Sequence, residues 1–305
     1  MRDFDWSILS TLYRTKNITK AAEMLYITQP TLTRRLQQIE TELGAVLILR
    51  TNKGVTFTPE GEYAALKAAE ILDSINSIKS TLSQSHGELR GTLRLGAPNS
   101  FVHFVVPALI EQFSLIYPHI QIDLHTDLSH ELLRYLENQE LDVSFVRGDF
   151  DTTLEKKHLS SDQIYIISKN PIILSELPNL PQIAYIKENS IVKASKRWWQ
   201  ERFTTPPNVR FRVHTGDACI QLIKKNLGYG IFSDGRYFNP ADGLHALPLE
   251  YLDGSRFTRN SWMVYDKSSL QNPVVSHFIE FVSQHFEELC GIPVTLHSHV
   301  NHIAD

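Results

Sequence analysis

A chain of 305 residues exceeds a single ordinary hydrophobic core and calls for two or three domains, and its 42% hydrophobic and 21% charged content are those of a soluble globular protein. No apolar run approaches the ~20 residues that cross a bilayer, the acidic opening MRDFDWSILS lacks a signal-peptide pattern, and two cysteines, Cys219 and Cys290, make no disulfide framework, so the expected setting is cytoplasmic with no membrane partner. The net charge of −4 is uneven: residues 1–58 carry eight Lys/Arg against five Asp/Glu, a small basic head on a body that sums to −7.

Trp6, Ile8, Leu9 and Leu12, with Phe4 leading in, share one face of a first helix. Thr19 is the expected cap of a second helix, KAAEMLY, whose Ala21, Ala22 and Met24 permit close packing. In TQPTLTRRLQQIE, Thr28 caps a third helix and Pro30 falls in its first turn, where a missing N–H costs little; Gly44 stops it. Two short helices joined by a tight turn match helix-turn-helix geometry, in which the start of the second helix meets base edges in the major groove. Gln29, Thr31, Thr33 and Arg34 then project outward while Leu32, Leu36 and Ile39 hold the core. Gln suits adenine, and Arg suits guanine or phosphate. LILRTNKGVTFT reads as two short strands around Asn52-Lys53-Gly54, a wing bearing Arg50 and Lys53.

Thr58 and Pro59 open a long helix to about residue 85. Its Ala64, Ala68, Ile71, Ile75, Ile78 and Leu82 alternate at spacings of four and three, an a/d seam suited to pairing with a second copy. Packing of that stripe onto the protein's own body is the competing explanation. Beyond His86-Gly87 the chain alternates strand and helix, which implies parallel sheets with right-handed crossovers. The expected architecture is α/β: a winged helix-turn-helix over 1–58, a linker (dimerisation) helix over 59–88, one subdomain from 91–163 with 268–290, and a second from 164–267. Ligands of such folds bind between open sheets, at strand C-termini and helix N-termini. Ser100 and Ser129 start helices there, Arg147 ends a strand and Arg259 lies on a late strand. Two arginine forks and two helix N-termini suit a small di- or tricarboxylate. Read one by one, the serines are equally helix caps, Arg147 a partner of Asp149 or Asp151, and Arg259 a solvated strand residue. Of Trp198-Trp199, one ring is expected in the core and one on the surface.

The run NITKAAEMLYITQPTLTRRLQQIETELGAVLILRTNKGVTFTPEGE resembles the winged helix-turn-helix of LysR-type transcriptional regulators along nearly its whole length. AAExL, TQPTLTRRL, the I-E-x-E-L-G run, the L-x-x-R ending at Arg50 and the T-P-E-G entry to the next helix carry the likeness; Ile48 stands where that family usually has Phe. The resemblance implies that Gln29, Pro30, Thr33, Arg34, Arg50 and Lys53 lie nearest double-stranded promoter DNA, and that the long helix dimerises, usually within a homotetramer. It also implies a periplasmic-binding-protein-like effector domain whose cleft is lined at Ser100 and Ser129. FVRGD and RNSWMVYDKSSLQNP look like the Gram-positive branch related to citrate-responsive catabolite control regulators, which implies a carboxylate effector, citrate among them, contacted at Arg147 and Arg259.

No catalytic motif emerges. His130-Glu131-Leu132-Leu133-Arg134 has Arg where a zinc-protease helix needs its second His, and no P-loop, G-x-S-x-G or G-x-G-x-x-G is present. No cofactor is expected, and the tail His297, His299 and His302 reads as a His-rich end rather than a metal site. The competing class is an α/β binding protein or enzyme whose head serves protein interaction.

Overall fold

The computed structural model describes residues 1–51, 54–84, 89–185 and 190–291. Lys53 and the histidines of the tail lie outside these residues, and the side chains of Arg50 and Leu82 are likewise not described. The head begins with three helices, α1 (Asp3–Thr15), α2 (Ile18–Met24) and α3 (Gln29–Leu43). Ile8, Leu9, Leu12, Ala21, Ala22, Leu32, Leu36 and Ile39 are buried among them. Asn17, not Thr19, caps α2, its carboxamide oxygen accepting from Lys20 N–H at 3.1 Å. Thr28 caps α3, with Pro30 in the first turn and Gly44 left-handed at its end. Strands β1 (Ile48–Thr51) and β2 (Gly54–Phe57) form the antiparallel wing. Ile48 is buried, so its place in the run is a matter of packing.

Helix α4 (Pro59–Gln84) follows, capped by Thr58, whose hydroxyl accepts from Gly61 N–H at 3.0 Å. Gly61 is required here: a Cβ would stand 1.9 Å from the Leu47 carbonyl oxygen. The start of α4 belongs to the head. Ala65 and Ala68 are buried in the head's own core and Ala64 packs against it. Ala64 and Ala68 are therefore used within the chain, a correction to the seam expected from spacing. Ile71 and Ile75 are half-buried and Ile78 is exposed.

The rest of the chain builds two α/β subdomains. Strands and helices run β3 (Gly91–Ala97), α5 (Asn99–Phe104), α6 (Val106–Ile116), β4 (Ile120–Thr126), α7 (Ser129–Glu137), β5 (Val143–Arg147) and β6 (Glu155–Gln163). The second subdomain holds β7 (Tyr165–Ser168), β8 (Gln182–Tyr185), α8 (Ser190–Arg202), β9 (Val209–Val213), α9 (Gly216–Lys224), β10 (Gly230–Phe232) and β11 (His245–Pro248). The chain returns through β12 (Thr258–Tyr265) and α10 (Pro273–Cys290). Five strands form the first sheet in the order β4-β3-β5-β12-β6. Its β3 pairs in parallel with β4 and β5, but β12 runs antiparallel between β5 and β6. The first subdomain thus recovers the chain at 258, ten residues before the boundary at 268 expected from sequence, and its sheet is mixed rather than parallel. The second subdomain carries an antiparallel trio, β10-β7-β11, beside the parallel pair β8-β9.

The sheet and α10 enclose the largest core, with Phe101, Phe113, Phe145, Phe278 and Phe281 buried together. Trp198 and Trp199 are both buried, contrary to the one-in, one-out expectation. Each indole N–H finds a carbonyl at 2.8 Å, Glu250 for Trp198 and Thr205 for Trp199, which removes the penalty of burying the polar edge.

Candidate functional site

At the head, the first turn of α3 is presented outward. Gln29, Pro30, Thr31 and Arg34 are exposed side by side. The Thr28 and Thr31 hydroxyls lie 2.8 Å apart, so the cap also orients the first turn. Thr33 departs from its expected position: it is half-buried, and its hydroxyl oxygen is shielded from solvent, which makes it a packing residue in this conformation. Arg35 turns the other way. Its Nη2 donates to Asp5 Oδ2 at 2.9 Å, and Asp5 is fully buried. Burial pushes the Asp5 carboxyl up, but the Arg35 hydrogen bond and the Arg2 backbone N–H outweigh it and hold the group below its ordinary value. Beside this face, Tyr26 is 97% exposed with φ 53°, a left-handed tyrosine in the turn between the two helices. The expected second helix KAAEMLY included it, but α2 ends at Met24 and leaves Tyr26 in the turn.

The two α/β subdomains enclose a cleft of about 680 Å³, and Ser100, Ser129, Arg147 and Arg259 all line it. They form one network. Arg147 Nη1 donates to Ser100 Oγ at 3.2 Å, and Arg147 backbone N–H donates to Ser129 Oγ at 3.1 Å. The helix caps are instead Pro98 and Leu128. The fork of Arg147 is 1% exposed and points to Asp162 at 2.6 Å, to Asp234 at 3.4 Å and to the Ser233 carbonyl. Neither Asp149 nor Asp151 is its ion-pair partner. Arg147 lies in the first subdomain and Ser233-Asp234 follow β10 in the second, so this arginine ties the two together rather than presenting an open fork to the cleft. Arg236 pairs with Asp234 at 2.7 Å from the other side. Burial pushes the Asp234 carboxyl up; the Arg236 hydrogen bond and the Arg147 and Arg236 charges bring it below its ordinary value, so it stays ionised.

Arg259 stands differently. It donates from Nη1 to Ser233 Oγ at 2.9 Å and from Nη2 to the Arg147 carbonyl at 3.5 Å, both neutral oxygens. Burial first, then the neighbouring Arg147 cation, pull its guanidinium down to about 9, against the opposing pull of Asp162, Tyr185 and Asp234. Its positive charge is held at an electrostatic cost that a bound anion relieves. Two nine-residue helices, α7 and α9, also begin at the cleft from opposite subdomains, at Leu128-Ser129-His130 and at His214-Thr215-Gly216. Helix N-termini favour anions. The α9 terminus and Lys193 are additions that sequence reading missed. The lining as a whole is balanced, with Arg147, Arg259 and Lys193 against Asp127, Asp149 and Asp234. Asp127 accepts from Leu128 N–H and Asp149 from the Asn260 carboxamide.

The model of the LysR substrate binding domain matches residues 86–287, and that of the bacterial regulatory helix-turn-helix protein, lysR family, matches residues 5–62. The chain belongs to the LysR family of transcriptional regulators. It is 31% identical over 282 residues to the uncharacterized HTH-type transcriptional regulator YraN of Bacillus subtilis, covering 92% of this chain and 97% of that one. It is 24% identical over 293 residues to the transcriptional activator CmpR of Synechocystis, covering 92% and 95%. Among solved structures, a full-length OxyR variant of Pseudomonas aeruginosa superposes with a TM-score of 0.66 at 18% identity, covering 95% of each chain. Full-length CbnR complexed with its target DNA gives 0.62 at 18% identity, covering 93% of this chain and 99% of that one. These neighbours share the fold: a helix-turn-helix head and a LysR substrate-binding body. The relatives named here are regulators, and this LysR-family chain is one rather than an enzyme.

Within this regulator the thiols are not poised for reaction. Cys219 lies in the core of the second subdomain and Cys290 in that of the first. Burial pushes Cys219 up to about 12 and Cys290 up to about 11, the latter despite Arg236 nearby. Neither is a thiolate at neutral pH. Among the described residues no three His, Cys, Asp or Glu side chains are grouped to hold a metal, and no helix is long and apolar enough to cross a membrane.

Proposed function

We propose that this LysR-type regulator binds promoter DNA as a homo-oligomer and answers to a small anionic effector, a di- or tricarboxylate such as citrate, in the cleft between its subdomains. Support for the effector comes from one observation above the others: Arg259 carries its charge at a cost beside the hydroxyl of Ser233, with two helix N-termini opposed across the same space. Ser100 and Ser129 complete the floor through Arg147, whose part is to tie the subdomains together. An anion that prefers one arrangement of the subdomains shifts the population toward it, and with it the spacing of the heads.

On the DNA side, Gln29, Pro30, Thr31 and Arg34 read the major groove, with Arg50 and Lys53 of the wing on phosphates or in a minor groove. Pairing of two copies through α4 uses Ile71, Ile75, Ile78 and Leu82, since Ala64 and Ala68 are taken up by the head. CbnR, which shares the fold, has been seen complexed with target DNA, and the present reading extends that partner class to this chain. Selecting bound fragments from a random DNA pool, then footprinting them, tests the proposal. Two related half-sites about one helical turn apart are expected, with the footprint changed by citrate or another di- or tricarboxylate. Selected fragments with no repeated half-site would sink the DNA reading, and a footprint indifferent to every acid would sink the effector reading. Ile78→Asp is expected to weaken self-association in sedimentation; an unaltered oligomer removes α4 as the pairing surface.

A further inference from the structure

The second subdomain has a cavity of its own. About 490 Å³ of space lies between α8 and the β8–β9 pair, lined by Ile183, Trp199, Phe203, Pro206 and Pro207 among others. That volume falls in the range of sites for small organic ligands. Its aromatic wall is shaped: the Trp199 and Phe203 rings stand 4.5 Å apart between centroids, tilted by 44°. Trp199 is fixed there by its indole N–H bond to the Thr205 carbonyl. A planar ring entering the space meets aromatic faces and edges together, the arrangement in which aromatic groups attract one another beyond their buried area.

The electrostatics are one-sided. Lys196 and Arg212 reach the lining, both exposed at the mouth, and the described lining contains no carboxylate. On the same wall the Ser195 hydroxyl is buried and has no hydrogen-bond partner among the described residues. A core normally satisfies such a group. An apolar body, two cations at the entrance and an unsatisfied hydroxyl describe a ligand with a hydrophobic ring and an anionic head.

We infer that this cavity is a second small-molecule site, distinct from the cleft, which takes an aromatic carboxylate with its ring against Trp199 and Phe203 and its carboxylate at Arg212 and Lys196. The cavity is not isolated. Tyr185, Ile191 and Ile231 line both it and the cleft, so one thin wall of the second subdomain separates the two. Packed side chains transmit displacement because interiors are dense. A ring seated behind that wall therefore changes the affinity of the cleft for its own ligand, and the coupling runs equally in both directions. The presence of this cavity does not rest on the identity of the ligand in the cleft.

The test is a fluorine NMR titration of the full chain with 4-fluorobenzoate, using 4-fluorobenzamide as the neutral analogue. Saturable perturbation of the acid, with the amide at least about tenfold weaker, is expected from loss of a charge-assisted contact. Ser195→Phe, which fills the cavity, should abolish binding. Arg212→Ala, at the exposed mouth, should weaken it about tenfold and serves if the first variant folds poorly. Arg259→Ala should leave the probe's binding intact. No saturable effect at millimolar probe, or acid and amide binding alike, overturns the inference. So does binding that survives Ser195→Phe and Arg212→Ala but disappears in Arg259→Ala, because the probe then sits in the cleft.

Discussion

The head and the cleft each hold a pair of arginines, and in each the pair is divided in the same way. In the head, Arg35 is committed to the buried Asp5 while its neighbour Arg34 is left on the surface. In the cleft, Arg147 is committed to Asp162 and Asp234, while Arg259 has neutral oxygens for its two described contacts. A guanidinium held by carboxylates fixes geometry; Arg259, whose charge is opposed by burial and by Arg147 and supported by Asp162 and Asp234, is the one proposed to meet the anion. Two like residues close in space thus have different tasks, and the partner of each arginine, more than the arginine itself, indicates which.

That division can be broken residue by residue. Arg147→Ala should have the largest effect, because it strands Asp162 and weakens Asp234 in a buried setting. A loss of about 3–5 kcal/mol is expected for removing one member of a buried pair, read as a lowered unfolding temperature of the effector body whether or not an acid is present. Retention of wild-type stability would make Arg147 a ligand fork after all. Arg35→Ala comes next. It leaves Asp5 buried without its main partner and should cost the head about 1–3 kcal/mol, seen as an earlier unfolding transition. The same contact sets an acid limit. The carboxyl of Asp5 is held below its unfolded value, so its stabilisation is fully present above about pH 4 and is lost as the pH falls through the depressed folded value. Urea midpoints of wild type should therefore fall below about pH 4 more steeply than those of Arg35→Ala, and parallel curves would contradict the pairing. Arg34→Ala should change stability least, within about 0.5 kcal/mol, yet weaken operator binding by about 1–3 kcal/mol in a gel-shift titration. Unchanged operator affinity would remove Arg34 from the interface.

The head was the more legible region because its signals are local. The Thr28 cap, Pro30 in the first turn and Gly44 at the end of the helix all act within a few residues, and each stands where its spacing indicates. Two head readings failed: Asn17 rather than Thr19 caps α2, and Thr33 is half-buried, since whether a hydroxyl faces in or out depends on what packs over it. In the body, Ser100, Ser129, Arg147 and Arg259 do converge, because helix starts and strand ends recur on the same side of such sheets. What they do on meeting was not legible. Arg147 finds Asp162 on β6, a strand whose EKKHLSSDQ pattern is mostly exposed and has no apolar alternation to announce it. Its other acidic partner, Asp234, is 87 residues away in the other subdomain. The return of the chain at 258 was missed for the same reason: β12 is recognisable as a strand, but its insertion between β5 and β6 is a long-range pairing. The first turns of α4 show the converse error. A correct spacing was assigned to a partner molecule when the head itself supplied the surface for Ala68.

The most direct test of the whole account is a thermal-shift series on the full chain with citrate, isocitrate, malate, oxoglutarate and neutral controls, repeated on Arg259→Ala. A true effector at about 100 times its dissociation constant adds roughly 2.7 kcal/mol, a rise of a few degrees for domains of this size. That rise is expected with at least one of the acids in wild type, none with the neutral controls, and its loss in Arg259→Ala without loss of folding. Stabilisation by an acid that persists undiminished in Arg259→Ala, or no stabilisation by any acid, would contradict this account.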